Sequence, residues 1–236
     1  MIIKPVKTRV FREGEVLLVF IACYIKRLPE KSIVVVTSKI VALAERRTAI
    51  AKTASSREAL IRRESELALP TKYVWLTVKD GMVMASAGID DSNGNGKLVL
   101  LPKDSFRAAH ELRTELRKKY RLKNIGVLIT DSHTAPLRAG VTGVTLGYAG
   151  FRGIKDYRGK PDIFGRKFKF SRTNIADGLA AAAVLVMGEG NERQPLAIIK
   201  NAPVEFSNVV RRGELRIDLD EDMYRPFFSK LPKSRR

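Results

Sequence analysis

Apolar positions along the 236-residue chain switch repeatedly between strand and helix spacing. A β-branched run at 33–36 predicts a buried strand, and apolar character resumes at 40–44, so that strand runs through a turn into a helix. The apolar stretches 74–78 and 82–85 flank Lys79-Asp80-Gly81. That pattern predicts a hairpin, because Asp-Gly supplies the positive φ a tight turn needs. Phe106, Ala109, Leu112, Leu116 and Tyr120 fall on one helical stripe, which Asp104 or Ser105 would cap.

Ser55-Ser56-Arg57-Glu58 has capping-box spacing and predicts a helix over 58–67. A polar turn at 91–96 leads to a strand at 98–101, and a further strand at 126–130 ends at Asp131. Residues 139–153 are rich in glycine and valine, which suits strands with close backbone approaches. An alanine-rich helix over 175–187 stops at Gly188 and Gly190, and 196–199 forms the last clear strand. The expected class is therefore α+β (mixed α/β), with irregular mixed sheets and flanking helices. No repeat or linker divides the chain. Residues 1–222 are expected to form one unit, either whole or as two interlocked subdomains, and 223–236 a frayed basic tail.

Composition adds bounds to this picture. Hydrophobic residues make up 44% and charged residues 29%, enough to bury a real core. The single cysteine, Cys23, lies in the apolar run 16–25, where a small buried residue is expected, and an intrachain disulfide is impossible. That run is half the length of a membrane span of about 20 residues. The N-terminus lacks the apolar core and cleavage pattern of a signal peptide. A soluble protein of the reducing cytoplasm is expected, with no membrane partner.

Net charge is +19 and the pI near 10.2. A nucleic-acid footprint and a surface that attracts small anions both fit such a balance. The basic residues are scattered over Lys26-Arg27, Arg46-Arg47, Arg62-Arg63, Arg117-Lys118-Lys119, Arg166-Lys167 and the tail. They do not read as a base-stacking sheet, and no helix-turn-helix, zinc-finger or RNA-recognition signature occurs. The charge is thus read first as attraction for small anionic substrates.

Candidate chemistry sits in three places. Ala85-Ser86-Ala87-Gly88-Ile89-Asp90-Asp91-Ser92-Asn93-Gly94 gathers two carboxylates, a hydroxyl and an amide behind small residues, which suits Mg²⁺ or Mn²⁺ and equally suits a polar turn. Asp131 ends an apolar strand, where α/β proteins place metal and phosphate chemistry and where a cap is as common. Met187-Gly188-Glu189-Gly190-Asn191-Glu192 follows the alanine-rich helix, with a C-cap as its simplest reading. Asp177 fits the macrodipole of that helix's first turn. His110 and His133 are too far apart to make a zinc site. No Walker A or dinucleotide fingerprint is present, and Gly94-Asn95-Gly96-Lys97 falls short of a P-loop.

Order and wording say more than the pieces do. Val36-Thr37-Ser38-Lys39-Ile40-Val41 with Glu45, then Ala87-Gly88-Ile89-Asp90-x-Ser92-Asn93, then Thr130-Asp131-Ser132, come first. Asp156-Tyr157-Arg158-Gly159 with Asp162-x-x-Gly165-Arg166, then Ala176-Asp177-x-Leu179-Ala180 leading to Met187-Gly188-Glu189, complete the series. Together they resemble the gamma-glutamyl ligases of the deazaflavin coenzyme F-420, from the first strand to about residue 199.

The resemblance implies a gamma-glutamyl ligase-like fold and an intertwined homodimer. It also implies a GTP-dependent amide ligase that activates an anionic small-molecule carboxylate as an acyl phosphate and adds L-glutamate. By motif, Asp90 and Asp131 are implied as catalytic ligands of one Mg²⁺ or Mn²⁺, and Ser132 and Glu189 as ligands of a second. Ser38, Lys39, Asn93, Met187, Gly188, Gly190 and Asn191 are implied as nucleotide contacts. Thr134, Ala135 and Leu137 stand where the family pattern has Gly, Arg and Trp, and Leu43 stands where a lysine is expected. Two alternatives stay open: the same chemistry on a folate-like acceptor, and a non-catalytic relative that binds nucleic acid or another anionic partner.

Overall fold

A computed structural model describes residues 1–228, so residues 229–236 of the expected basic tail lie outside the described residues. In chain order the elements begin with β1 (Ile2–Val6), α1 (Leu17–Tyr24), β2 (Ile33–Thr37) and α2 (Ser38–Ala44). Next come β3 (Thr48–Ala49), α3 (Ala54–Glu64), β4 (Leu67–Pro70), β5 (Trp75–Lys79), β6 (Met82–Ala85) and β7 (Leu98–Val99). They are followed by α4 (Ser105–Tyr120), β8 (Gly126–His133), β9 (Thr142–Ala149), β10 (Ile154–Asp156) and β11 (Arg172–Asn174). The series closes with α5 (Ile175–Met187), β12 (Leu196–Lys200) and α6 (Arg225–Phe228). The class is mixed α+β, as expected. The described chain divides into two compact units: residues 1–47 with 102–212, and residues 48–101 with 213–228.

The first unit is built on a five-stranded sheet of order β1-β12-β2-β8-β9, in which only the β2–β8 pair is parallel. Ile33, Val34, Val35 and Val36 are all fully buried, as are Val127, Leu128 and Ile129. Central strands covered on both faces read as unbroken apolar runs, which is why residues 33–36 lack alternation. The turn-to-helix expectation at 40–44 is met by α2, which starts directly after β2.

The β8–β9 pair carries a one-residue bulge. Ile129 faces Gly147 and Thr130 faces Thr145, leaving Leu146 as the extra residue. Without it, Gly143 and Gly147 would share a face; the bulge turns the second to the opposite side. The close approaches agree. A Cβ on Gly143 would lie 2.4 Å from the Ala180 carbonyl oxygen of α5, and one on Gly147 2.4 Å from the Ser105 carbonyl carbon of α4. Both helices therefore reach β9 through positions with no side chain.

α4 starts at the expected cap, where Asp104 accepts from the Arg107 amide at 2.9 Å. Burial pushes the Asp104 carboxyl up, but Arg212 and the Arg107 amide outweigh it and hold the pKa below its usual range.

In the second unit β4, β5 and β6 form an antiparallel sheet and β3 pairs with β7. The predicted hairpin is present, with Asp80 and Gly81 both at positive φ. Its core is Leu60, Ile61, Ala87, Ile89, Leu98 and Leu100, with Trp75 packed against it. The Arg62 guanidinium lies 4.6 Å from the Trp75 ring centroid.

Four expectations need correction. The α3 cap is Thr53 with Ser56, not Ser55 with Glu58, and the helix is Ala54–Glu64; the hydroxyl pair forms the reciprocal box three residues apart, so glutamate is not needed. The strand expected to end at Asp131 continues to His133, because β9 pairs with it that far. The strand expected at 98–101 is only Leu98–Val99. Cys23 is exposed; α1 buries Phe20 and Ile21, and two residues on from Ile21 the helix has turned about 200° away.

Residues 154–174, which contain the Asp156–Gly159 and Asp162–Arg166 motifs, form an arm. Its β10–β11 base continues through hydrogen bonds from the Tyr157 amide to the Ser171 carbonyl and from the Phe168 amide to the Lys160 carbonyl. Residues 164–170 read Phe-Gly-Arg-Lys-Phe-Lys-Phe, so basic and aromatic residues are interleaved here, although the basic positions as a whole do not read as a base-stacking sheet.

Candidate active site

The Asp90 segment of the second unit is held from both sides. The Thr77 hydroxyl donates to the Met84 carbonyl at 2.7 Å and accepts from the Ala87 amide at 2.8 Å. Ser86, Ala87 and Gly88 follow one another at φ of 50°, 56° and 69°. A run of left-handed residues costs roughly 1–2 kcal/mol for each non-glycine member and persists where the surroundings fix it. Here a buried hydroxyl and the buried Ala87 and Ile89 side chains fix it. The chain then enters a bridge in which Asp90 and Val99 exchange both backbone hydrogen bonds, at 3.0 and 2.8 Å.

Asp90 is thus presented from a buried edge, behind the small residues that precede it. Its carboxylate accepts from the Ser92 amide and the Ser92 hydroxyl, both at 2.7 Å. Asp91 turns instead to Arg57 at 2.8 Å. Asn93 is exposed, at φ 55° in the following turn.

Asp131 and Ser132 lie in the first unit, half-buried near the end of β8. Successive residues of a strand point to opposite faces. The carboxylate and the hydroxyl therefore leave the sheet on different sides, so the two side chains are not arranged to chelate one cation together. Asp131 accepts from the Ser132 amide at 2.9 Å. Directly before it, Thr130 and Thr145 face each other across the bulge, both buried, and neither hydroxyl has a hydrogen-bond partner. The Thr145 amide donates to Asp177 at 2.9 Å, and Asp177 also accepts from the Asn174 side chain at 2.6 Å. Asp177 thus does more than match the helix dipole, since it latches the start of α5 to the bulge.

An unpartnered buried hydroxyl costs about 1–3 kcal/mol, and replacing it by a methyl of the same shape removes that cost. Thr130→Val and Thr145→Val are each expected to raise the melting temperature. A fall on either change, read by calorimetry, would mean that the hydroxyl holds a partner in solution.

The segment after α5 is closed by a residue the sequence reading left without a role. The Glu192 carboxylate accepts from the Gly190 amide at 2.8 Å. A Cβ on Gly188 would meet that same carboxylate at 2.5 Å. Glu189, Gly190 and Asn191 are exposed, whereas Met187 is buried, so its side chain belongs to the core and only its main chain can meet a ligand. A Gly-x-Gly-x-Glu spacing was the available signal for this loop.

Ser38 is buried at the start of α2 and Lys39 is half-buried. Glu45 accepts from the Lys103 amide at 2.8 Å. His110 is exposed on α4 and carries no site. A cavity of about 380 Å³ is lined by Lys31, Asn124, Asn201 and Phe206. It lies where β2 and β8 begin, away from Asp131, and is not the candidate site.

Among the described residues no three His, Cys, Asp or Glu side chains form a ready-made metal cage. The side chains implied as ligands, Asp90 in the second unit and Asp131, Ser132 and Glu189 in the first, nonetheless all offer oxygen. Mg²⁺ is commonly held by one or two carboxylates completed by water and substrate phosphates, and this donor chemistry fits it.

The family model described as F420-0:Gamma-glutamyl ligase matches residues 5–201, most of the first unit and all of 48–101. The chain belongs to this ligase family. It is 35% identical over 216 residues to the coenzyme F420:L-glutamate ligase of Methanococcus maripaludis strain C7, covering 84% of this chain and 86% of that protein. It is 40% identical over 157 residues to the protein of the same name from M. maripaludis strain S2, and 37% identical over 153 residues to that of Methanocaldococcus jannaschii. Those two matches span 62% and 61% of the relatives' lengths, and 66% and 65% of this chain. The motifs at Asp90, Asp131 and Glu189 all fall inside the matched region. No helix among the described residues is long and apolar enough to cross a membrane.

Proposed function

We propose that the protein is a GTP- and divalent-metal-dependent ligase acting as a homodimer in the cytoplasm. It joins L-glutamate by a γ-glutamyl-type amide to the carboxylate of a phosphorylated or anionic acceptor. The observation that carries this reading is the family match across residues 5–201, with relatives that bear the name coenzyme F420:L-glutamate ligase. A carboxylate is a poor acyl donor. Transfer of the terminal phosphoryl group of GTP gives an acyl phosphate, which the glutamate amine attacks at the carbonyl carbon, releasing phosphate and a proton and leaving GDP.

Asp90 and Asp131 are the proposed oxygen ligands of one Mg²⁺ or Mn²⁺, and Ser132 and Glu189 those of a second. A bound cation would supply charge neutralisation at the phosphate oxygens. Ser38, Lys39 and Asn93, with the main chain of Met187, Gly188, Gly190 and Asn191, are the proposed nucleotide contacts. The Gly190 amide donates to the Glu192 carboxylate and the Gly188 amide to the Val184 carbonyl, so a phosphate bound through either would take the place of that acceptor. A second reading keeps the chemistry and changes the acceptor to a folate-like one. It is favoured by Leu43, Thr134, Ala135 and Leu137, which depart from the family pattern while Asp90, Asp131 and Glu189 are present.

Thermal-shift measurements with GTP, GDP or ATP, each with and without Mn²⁺ or Mg²⁺, test the reading. A ligand at a hundred times its Kd stabilises by about 2.7 kcal/mol. GTP with either cation is expected to raise the wild-type melting temperature by several degrees, and the response of Asp90→Ala should be much smaller. An equal response of the variant, or no response of the wild type to any pair, sinks the reading. Salt-sensitive binding of mixed RNA in place of such a shift would favour a non-catalytic binder.

A further inference from the structure

The arm of residues 154–174 holds large apolar side chains out in water on a hydrogen-bonded frame. Ile163, Phe164 and Phe170 are 92%, 89% and 85% exposed. The frame under them is closely tied. Asp162 accepts from the amides of Phe164 and Arg166 at 2.8 and 2.9 Å, Pro161 bridges to Lys167, and the Tyr157 and Phe168 rings meet at 6.2 Å. The Arg158 guanidinium holds the Asp156 carboxyl down at about 2, so this ion pair at the base of the arm persists through the neutral range. A floppy loop could fold such side chains inward; this arm presents them. Apolar groups clustered on a pre-formed element mark an interaction surface.

Charge identifies what the surface fits. The arm carries seven lysines and arginines against two aspartates. Elsewhere, residues 214–222 place Glu214, Asp218, Asp220, Glu221 and Asp222 around a single arginine, gathering five of the chain's 25 acidic residues into nine positions. This acidic segment is also apolar and open: Ile217 is 48%, Leu219 53% and Met223 81% exposed. The chain thus bears a basic-apolar projection and an acidic-apolar strip, each still exposed within one copy. With a net charge of +19, two copies repel overall unless an opposite-sign contact of this kind brings them together.

We propose that the arm 154–174 of one copy docks on the acidic segment 214–223 of a second copy, each partner lending its arm to the other. The proposal rests on the homodimer reading above and specifies its surface. Reciprocal exchange makes the contact self-complementary, as closed two-fold assemblies require. The exposed rings supply the buried centre and the charges supply register and salt-sensitive attraction.

The test uses the full chain and charge reversal, with mass read by sedimentation equilibrium and folding checked by circular dichroism. The arm variant is K167E/K169E, the segment variant D218K/E221K, and a third chain carries all four changes. The wild type is expected to be dimeric, each pair of changes to weaken dimerisation at least tenfold, and the four together to restore it. Raising salt should weaken the wild-type dimer and the restored one alike. A dimer that neither pair weakens by more than threefold overturns this surface and leaves the homodimer reading standing. So does a four-change chain that is no tighter than the two-change chains. A monomeric wild type overturns both, and an arm-dependent affinity for RNA in that monomer would give the arm to nucleic acid instead.

Discussion

Asp131→Ala is expected to lower glutamyl transfer on the order of a thousandfold, the scale on which single charge-stabilising groups act in phosphoryl transfer. The loss should fall mainly on kcat, because a group that neutralises charge as it develops stabilises the transition state more than the bound substrate. Stability should hardly move. Asp131 is half-buried near the end of β8, within reach of water that can replace the bonds its carboxylate accepts, that from the next residue's amide among them. The melting temperature is therefore expected within about 4 °C of wild type, which for a chain of this size is roughly 1 kcal/mol. Steady-state kinetics beside calorimetry separate the two effects. A variant that keeps more than a tenth of wild-type kcat removes Asp131 from the proposed ligand set.

The largest expected stability effect lies elsewhere on β9. In Gly147→Ala the new Cβ would sit 2.4 and 2.5 Å from the carbonyl carbon and oxygen of Ser105, and 2.6 Å from the Phe106 amide nitrogen. All three are backbone atoms at the start of α4, where no flexible side chain can swing aside. Overpacking of this kind costs about 3 kcal/mol, or a fall in melting temperature of about 6–12 °C. Gly178→Ala is the matched control. It lies within α5 with nothing within 4 Å of a built Cβ, so helix propensity alone acts and a gain of about 1 kcal/mol is expected. If the two alanine variants melt alike, α4 does not seat on β9 through Gly147.

These effects show why parts of the fold were legible and others were not. The run at 33–36, the Asp-Gly hairpin and the helix 175–187 each carry a local signal that tertiary contacts only reinforce, and each is found where expected. The bulge at Leu146 is different. It follows from pairing β9 with a strand nearly twenty residues away, and no spacing within 142–149 encodes it. The extension of β8 through Ser132 to His133 has the same origin. The Thr53 cap was missed because the Ser-x-x-Glu pattern two residues later imitates one.

The site divides in the same way. Asp90's buried approach was written in Ala87-Gly88-Ile89, but the Thr77 hydroxyl that fixes the left-handed run comes from another strand. Asp177 looked like a dipole residue because its partner, the Thr145 amide, is 32 positions away. Phe164 and Phe170 carried no warning of exposure, since aromatic residues between glycines and lysines fit a core strand equally well.

The central claim is that amide formation proceeds by phosphorylation of a carboxylate at the expense of GTP. It is tested most directly with an F-420-type acceptor whose reacting carboxylate carries ¹⁸O at both oxygens, incubated with L-glutamate, GTP and Mn²⁺. Mass spectrometry of the acceptor and of the released phosphate reads the outcome. The account predicts an acceptor heavier by one glutamyl residue and one ¹⁸O in the phosphate for each amide formed, with no product when GTP or the cation is omitted. Amide formation with unlabelled phosphate, or without any need for GTP, would contradict it.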